Sequence, residues 1–123
     1  MKANELDYDI IGVGLGPFNL GLAALLEEQR ERNGEGPRAL FLEAQEHFAG
    51  HPGMLLPHTT LQVPFMADLA TLADPTSRYT FLNYVHEQGR LYNFYFYESF
   101  KVLRKEYNSY CKWVSEQLTS TKF

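Results

Sequence analysis

The N-terminal third of the chain alternates between short apolar runs and a longer segment of helical period. Residues 8–13 are rich in β-branched side chains and end in glycines, which predicts a short buried strand. Apolar positions recur at helical spacing from Pro17 to the polar run at 27–32, and residues 33–37 stop this helix. A second apolar run, Ala39–Glu43, has strand length and ends in an acid. This order predicts a Rossmann-like α/β fold that begins with a right-handed βαβ unit.

Beyond residue 43 the pattern predicts loops followed by helices. Glycine and proline interruptions place residues 47–58 in a loop, and Pro64 cuts short an extended piece at 61–65. Helices are predicted over about 79–88, where Gly89 stops the pattern, and over about 104–118.

Three shorter stretches carry further expectations. Asp74–Ser77 is typical of a turn or a helix start, with Thr76 or Ser77 as the cap. The aromatic run Tyr92–Tyr97 alternates too little for a one-sided surface strand, and we expect further chain to cover it. Residues 119–123 are interpreted as the approach to another element, so we expect the fold to be incomplete without downstream chain.

Length, composition and charge exclude several classes of protein. A chain of 123 residues with 45% hydrophobic and 21% charged residues has the size and composition of one globular domain. The net charge of −4, without a basic patch, argues against a nucleic-acid partner. The single cysteine, Cys111, excludes an internal disulfide and a cysteine-based zinc site, and the histidines show no metal-ligand clustering, so no metal is expected.

The most apolar N-terminal stretch, residues 10–26, is interrupted by glycines, Pro17 and Asn19, and acidic residues precede it. A signal peptide requires a basic start and an uninterrupted apolar run, and a membrane helix requires about 20 apolar residues. We therefore expect no membrane partner and a cytoplasmic location.

The glycine-rich turn between the first strand and helix is the strongest chemical signal. In Gly12-Val13-Gly14-Leu15-Gly16-Pro17 the first glycine permits a tight turn and the second allows close approach of backbone N–H groups to a pyrophosphate. Proline replaces the usual third glycine of this dinucleotide-binding pattern. Glu43, at the end of the second strand, is placed to accept hydrogen bonds from ribose hydroxyls. The turn alone does not distinguish FAD from NAD.

Several blocks in the same order resemble the N-hydroxylating flavoprotein monooxygenases, the lysine and ornithine N-monooxygenases of hydroxamate siderophore synthesis. The first blocks are Gly12-x-Gly14-x-x-Pro17-x-Asn19-Leu20, Phe41-Leu42-Glu43 and His51-Pro52-Gly53-Met54-Leu55-Leu56-Pro57. The later blocks are Asp68–Ser77, Phe81-Leu82-Asn83-Tyr84, Gly89-Arg90-Leu91 and Arg104-x-Glu106-Tyr107. The likeness extends from about residue 9 to residue 118.

The resemblance implies that residues 1–123 are the N-terminal part of an FAD-binding domain and that the NADPH-binding domain is absent. The implied FAD-binding residues are Gly12, Gly14, Gly16, Pro17, Glu43, Phe48, His51 and Gln62. The implied substrates are a primary amine and O₂, with FAD and NADPH as cofactors. No side chain of this chain is expected to act as an acid, base or nucleophile, and we expect the 123 residues alone to be inactive. Whether the full-length protein forms a homo-oligomer stays an open possibility.

Two positions depart from the family pattern. Gly50 stands where relatives carry tryptophan, which leaves the local packing over the flavin open. Ala67 stands where relatives acting on ornithine or lysine carry a lysine that pairs with the α-carboxylate. Because alanine makes no charge-assisted bond, the departure favours putrescine, cadaverine or histamine as substrate. A lysine or ornithine hydroxylase with its carboxylate anchor elsewhere, and a non-catalytic nucleotide-binding remnant, are the alternatives.

Overall fold

A parallel βαβ unit forms the N-terminal part of the computed structural model, which describes residues 6–48, 55–56, 58–61, 63–99 and 101–123. Strand β1 (Ile10–Val13) leads into helix α1 (Pro17–Asn33), which returns the chain to strand β2 (Ala39–Leu42). The two strands are parallel, in a register that pairs Ile10 with Ala39 and Val13 with Leu42. The predicted α/β fold and its βαβ unit are confirmed.

A third strand completes the sheet of the described residues. Strand β3 (Thr121–Lys122) runs parallel to β2, so the strand order is β1-β2-β3. The carboxylate of Glu27, on α1, accepts hydrogen bonds from the backbone N–H of Thr119 at 2.9 Å and from the hydroxyls of Thr119 and Ser120 at 2.9 Å each. These bonds hold residues 119–120, which lead into β3, against α1. The sequence predicted that this stretch approaches another element, without indicating its type.

Three helices form the second half of the chain: α2 (Phe81–Glu87), α3 (Leu91–Tyr97) and α4 (Arg104–Ser115). Residues 74–77 form a turn, as one of the two alternatives predicted, but neither Thr76 nor Ser77 caps α2, which begins at Phe81 rather than near Tyr79. Thr80 is the cap, and its side chain accepts a hydrogen bond from the N–H of Asn83. The hydroxyl of Ser77 instead donates to the buried carboxylate of Glu28 at 2.6 Å.

Two further predictions are corrected by the structure. The extended piece expected at 61–65 belongs to no strand in its described residues; beside it, Thr60 and Leu103 form an isolated antiparallel bridge. The last helix ends at Ser115 rather than at Leu118, because residues 116–117 turn the chain towards β3.

The aromatic run forms α3, and most of its rings are exposed in this chain. Tyr92 is 80% exposed and Phe96 is 72% exposed, whereas Phe94 packs edge-on against Phe65 and Phe81. The expected covering of this run is therefore not provided by the described residues.

The core lies between the sheet and the helices. Leu20, Ala23 and Ala24 of α1 are fully buried, and the ring of Phe41 covers Gly12 so closely that a Cβ there would lie 2.4 Å from it. Strand alternation directs the neighbouring side chains to the opposite face of the sheet. On that face Ile11, Val13 and Leu42 are exposed. One face of the sheet is therefore packed and the other presents apolar side chains.

Candidate functional site

The glycine turn (residues 14–16) joins β1 to α1 at the carboxyl edge of the sheet. Gly14 has a φ of +89°, which an L side chain rarely adopts. The side-chain amide of Asn19 donates to the carbonyl of Gly14 at 2.8 Å and so holds the turn from within the helix. A Cβ added at Gly14 or Gly16 would meet no atom within 4 Å. The turn is thus held by the Asn19 side chain and open towards the outside.

The N-terminus of α1 is open to an anion. Gly16 is the N-cap in an extended conformation, makes no side-chain capping bond, and is followed by Pro17 at the first helical position. The first helical bond runs from the N–H of Leu20 to the carbonyl of Gly16 at 2.9 Å. The N–H groups of Phe18 and Asn19 precede it in the first turn, where helix geometry provides no internal acceptor. The first turn carries no acidic residue, so the helix dipole there is not neutralised.

The register of the sheet brings Glu43 beside this turn. The N–H of Gly14 donates to the carbonyl of Leu42 at 2.8 Å, and the N–H of Glu43 donates to the carbonyl of Lys122 at 2.7 Å. Gly14 therefore contributes its unusual φ rather than its N–H, which leaves the first-turn groups of α1 as the available donors. An acid next to the open N-terminus of a helix is the order of groups predicted for the ribose and pyrophosphate contacts of a dinucleotide. The residues present fit such a group.

Phe48, His51 and Gln62 are the other predicted FAD contacts. Phe48 is buried among core residues of this chain and is 4% exposed, so its ring offers little surface to a ligand. His51 and Gln62 lie outside the described residues, as does Gly50. Their proposed contacts with a flavin stay predictions.

The predicted substrate position, Ala67, lies in a tightly bonded segment that we call the Ala67 loop (residues 65–71). Ala67 is half-buried and its N–H donates to the carbonyl of Pro64 at 3.0 Å. The next residue, Asp68, accepts hydrogen bonds from the N–H groups of Ala70 and Thr71 at 3.0 and 2.7 Å. Its second oxygen accepts from the Thr71 hydroxyl at 2.7 Å and from the N–H of Phe81 at 2.6 Å.

Tyr110 on α4 fastens the same loop from the other side. Its hydroxyl accepts a hydrogen bond from the N–H of Leu69 at 3.2 Å and donates to the carbonyl of Tyr79. Burial raises the pKa of Tyr110 far above its ordinary value, and the nearby Asp68 adds to the shift, so the hydroxyl keeps its proton. The backbone of Leu69 also touches α1, because a Cβ added at Gly21 would lie 2.8 Å from the Leu69 carbonyl oxygen.

Sequence reasoning assigned no role to Asn19, Asp68 or Tyr110. Asp68-x-x-Thr71 has the spacing of a side-chain-to-backbone capping motif, which is a signal for its local bonds. The bonds from Asp68 to Phe81 and from Tyr110 to Leu69 join residues far apart in sequence, and no local pattern indicates them.

The described part of the chain holds neither a metal-binding cluster nor a reactive cysteine. No group of three or more His, Cys, Asp or Glu residues there could hold a metal ion. Cys111 is buried, and burial raises the pKa of its thiol from 9.0 to about 12, which keeps it protonated and unreactive. None of the helices within the described residues has the length and apolar character needed to cross a membrane.

Comparison with known proteins identifies the family. Residues 7–123 match the family described as L-lysine 6-monooxygenase/L-ornithine 5-monooxygenase. The chain belongs to this family. The match begins before β1 and includes the glycine turn, Glu43 and the Ala67 loop, so the predicted family resemblance is confirmed.

Individual members of the family show what kinds of enzyme the chain is similar to. It is 52% identical to a putrescine N-hydroxylase from Shewanella oneidensis over 94% of this chain and 22% of that protein. The FAD-bound cadaverine monooxygenase DfoA of the desferrioxamine pathway of Erwinia amylovora is 50% identical, with a TM-score of 0.89, over 96% of this chain and 26% of that one. The ornithine N-hydroxylase of Kutzneria sp. 744, solved with reduced FAD, NADP⁺ and L-ornithine, is 38% identical, with a TM-score of 0.83, over 93% and 27%. The chain thus spans about a quarter of the length of these relatives.

Proposed function

We propose that this chain is the FAD-binding N-terminal part of an NADPH- and O₂-dependent monooxygenase that N-hydroxylates a primary amine for siderophore synthesis. The observation that carries the proposal is the placement of the glycine turn beside Glu43, through the bond from the Gly14 N–H to the Leu42 carbonyl. The relatives, which are an FAD-bound cadaverine monooxygenase and putrescine and ornithine N-hydroxylases, support it.

The first-turn N–H groups of α1 would hold the pyrophosphate of FAD, and the Glu43 carboxylate would accept hydrogen bonds from the adenosine ribose. His51 and Gln62 are proposed as contacts to the flavin, and Phe48 as a core residue beside it. The chain contains one glycine turn of the dinucleotide type, between β1 and α1. We therefore place the NADPH site outside these 123 residues, so that the chain alone does not oxidise NADPH.

When bound, FAD supplies the reductive activation of O₂ and the transfer of one oxygen atom to the amine nitrogen. The overall reaction converts R–NH₂, O₂, NADPH and H⁺ into R–NHOH, H₂O and NADP⁺. The residues of this chain bind the cofactor and orient the amine; none of them is assigned to proton transfer or covalent catalysis. Their contribution to rate is the geometry at which the nitrogen meets the oxidant.

Ala67 supports a substrate without a carboxylate, because an alanine side chain offers no cation to pair with one. The two relatives acting on putrescine and cadaverine are 52% and 50% identical to this chain, whereas the ornithine N-hydroxylase is 38% identical. We propose a diamine such as putrescine or cadaverine; histamine also lacks a carboxylate. A lysine or ornithine hydroxylase with a different anchor is the alternative that the substrate comparison tests.

The test measures hydroxylated amine formed by the full-length gene product with FAD, NADPH and each of putrescine, cadaverine, ornithine and lysine. We expect larger kcat/KM values for the diamines. Ala67→Lys should raise kcat/KM for ornithine relative to putrescine by about tenfold, since it adds one charge-assisted hydrogen bond. Met66→Lys is the matched control, because it adds the same charge one residue away on a 42% exposed side chain.

Two outcomes would contradict parts of the proposal. Wild-type preference for ornithine or lysine would overturn the diamine assignment and leave the family reaction in place. A protein that binds no FAD and consumes no NADPH with any amine would overturn the proposed function and favour a non-catalytic module.

A further inference from the structure

The Asp68 side chain accepts hydrogen bonds both from its own loop and from the start of helix α2. Its two carboxylate oxygens accept four hydrogen bonds, from the N–H groups of Ala70, Thr71 and Phe81 and from the Thr71 hydroxyl, at 2.6 to 3.0 Å. Three of these bonds close the Ala67 loop on itself, and the fourth ties it to the first residue of α2. Hydrogen bonds to a charged acceptor are stronger than neutral ones. A single side chain thus sets the shape of the loop and its attachment.

The loop is held on two other helices immediately beyond Asp68. The Tyr110 hydroxyl of α4 accepts from the N–H of Leu69 and donates to Tyr79, the second residue before α2. The loop also packs closely against α1, because a Cβ added at Gly21 would clash with the Leu69 carbonyl oxygen. Since the N-terminus of α1 is the proposed pyrophosphate site, these contacts set the distance between Ala67 and the cofactor.

We propose that Asp68 is a positioning residue for the amine: it holds Ala67 at a fixed place relative to α1 and so sets where the substrate nitrogen lies. This inference rests on the proposed function. Asp68 acts through the backbone of the loop and not by contact with the reacting atoms. Its loss should therefore change amine binding and the use of the activated oxygen, and leave FAD binding unchanged.

The test compares Asp68→Asn with wild type in the full-length gene product. Asparagine has the same shape and keeps one acceptor oxygen, but it replaces the other oxygen with an NH₂ group that cannot accept from Phe81. We expect the KM for the amine to rise about tenfold, because small misplacements of a reacting group are costly. We also expect a larger share of the NADPH oxidised to yield H₂O₂ instead of hydroxylated amine, with FAD content at the wild-type level.

Asp74→Asn is the matched control. Asp74 makes a similar turn, accepting from the N–H and the hydroxyl of Thr76 at 3.0 and 2.6 Å, but it lies outside the Ala67 loop. It should leave the amine KM and the ratio of hydroxylated amine to H₂O₂ unchanged. If Asp68→Asn fails to fold, Thr71→Val and Thr71→Ser test the same network. Valine removes the hydroxyl that donates to Asp68 and should lower the ratio of hydroxylated amine to H₂O₂. Serine keeps the hydroxyl and should keep the wild-type ratio.

A wild-type KM and product ratio in Asp68→Asn, or in Thr71→Val where the first variant does not fold, would overturn the inference while the family reaction stands. Equal changes in the Asp74→Asn control would also overturn it, because a general loss of stability would then explain the result. Absence of amine hydroxylation in the wild-type protein would overturn the proposed function, and this inference with it.

Discussion

At the glycine turn the first-turn N–H groups of α1 face outward without helical acceptors, whereas four N–H groups of the Ala67 loop are bonded within the chain. Ala67 donates to Pro64, Leu69 to Tyr110, and Ala70 and Thr71 to Asp68. A turn that presents its backbone can bind any ligand with phosphates of suitable spacing. The four bonded N–H groups of the Ala67 loop are not available as donors to a ligand, so its side chains carry more of any recognition there. Under the proposed function, the main chain of the turn would bind the cofactor, and the identity of the side chain at position 67 would select the amine.

The largest effect is expected when a side chain is added in the glycine turn, which tests whether the main chain of that turn binds FAD. Gly14→Val should strain a residue whose φ is +89° and weaken FAD binding by about a hundredfold or more. The measurement is FAD affinity by fluorescence titration of the full-length gene product. Gly34→Val is the matched control, because Gly34 has a φ of +71° at the other end of α1. Equal loss of FAD in both variants would show that strain in general, and not the turn, is responsible.

Alkaline pH tests the other side of the comparison, because the hydrogen bond that Tyr110 donates to the Tyr79 carbonyl requires a protonated hydroxyl. Burial raises the pKa of Cys111 from 9.0 to about 12 and raises the pKa values of Tyr107 and Tyr110 above 10.0. Each group binds its proton more tightly in the folded state. The associated stability is therefore fully present below the unfolded pKa values and is lost as the pH rises above 9 for the thiol and above 10 for the two phenols.

The free energy of unfolding, measured with urea, should fall by about 1.4 kcal/mol per pH unit for each titrating group in that range. Cys111→Ala should delay the onset of the fall. Tyr92→Phe on exposed α3 is the control and should leave the pH profile unchanged. A flat wild-type profile from pH 8 to pH 11 would contradict the prediction.

The smallest expected effect concerns the hydrogen bond from Asn19 to the glycine turn. Asn19→Ala removes a 2.8 Å hydrogen bond to the Gly14 carbonyl and should weaken FAD binding about fivefold, equivalent to about 1 kcal/mol. Asn33→Ala, at the exposed last residue of α1, is the matched control. Unchanged FAD affinity in Asn19→Ala would show that the turn keeps its shape without help from a side chain.

The sequence predicted the elements whose periodicity is local and strong. The strands and helix of the βαβ unit were found because a β-branched run, a glycine turn and a helical repeat follow each other directly. Strand β3 consists of Thr121 and Lys122, which carry no apolar signal, and it depends on the bonds that Glu27 makes to residues 119–120. The cap of α2 was misplaced because Thr76, Ser77 and Thr80 are all suitable residues. In the structure the Thr76 hydroxyl bonds Asp74 and the Ser77 hydroxyl bonds the distant Glu28, which leaves Thr80 as the cap.

The same limit applied to the site. The glycine turn and Glu43 could be predicted from order along the chain, since parallel strands end at one edge of the sheet. The attachment of the Ala67 loop could not, because Asp68 and Tyr110 reach partners that are distant in sequence.

The close approach of Gly21 to the Leu69 carbonyl has an evolutionary consequence. The gap between these two segments is narrower than a single methyl group requires. Any residue larger than glycine at position 21 would therefore push the loop away from α1. Under the proposed function, amine preference would then change by exchange of individual side chains on a fixed frame, in discrete steps.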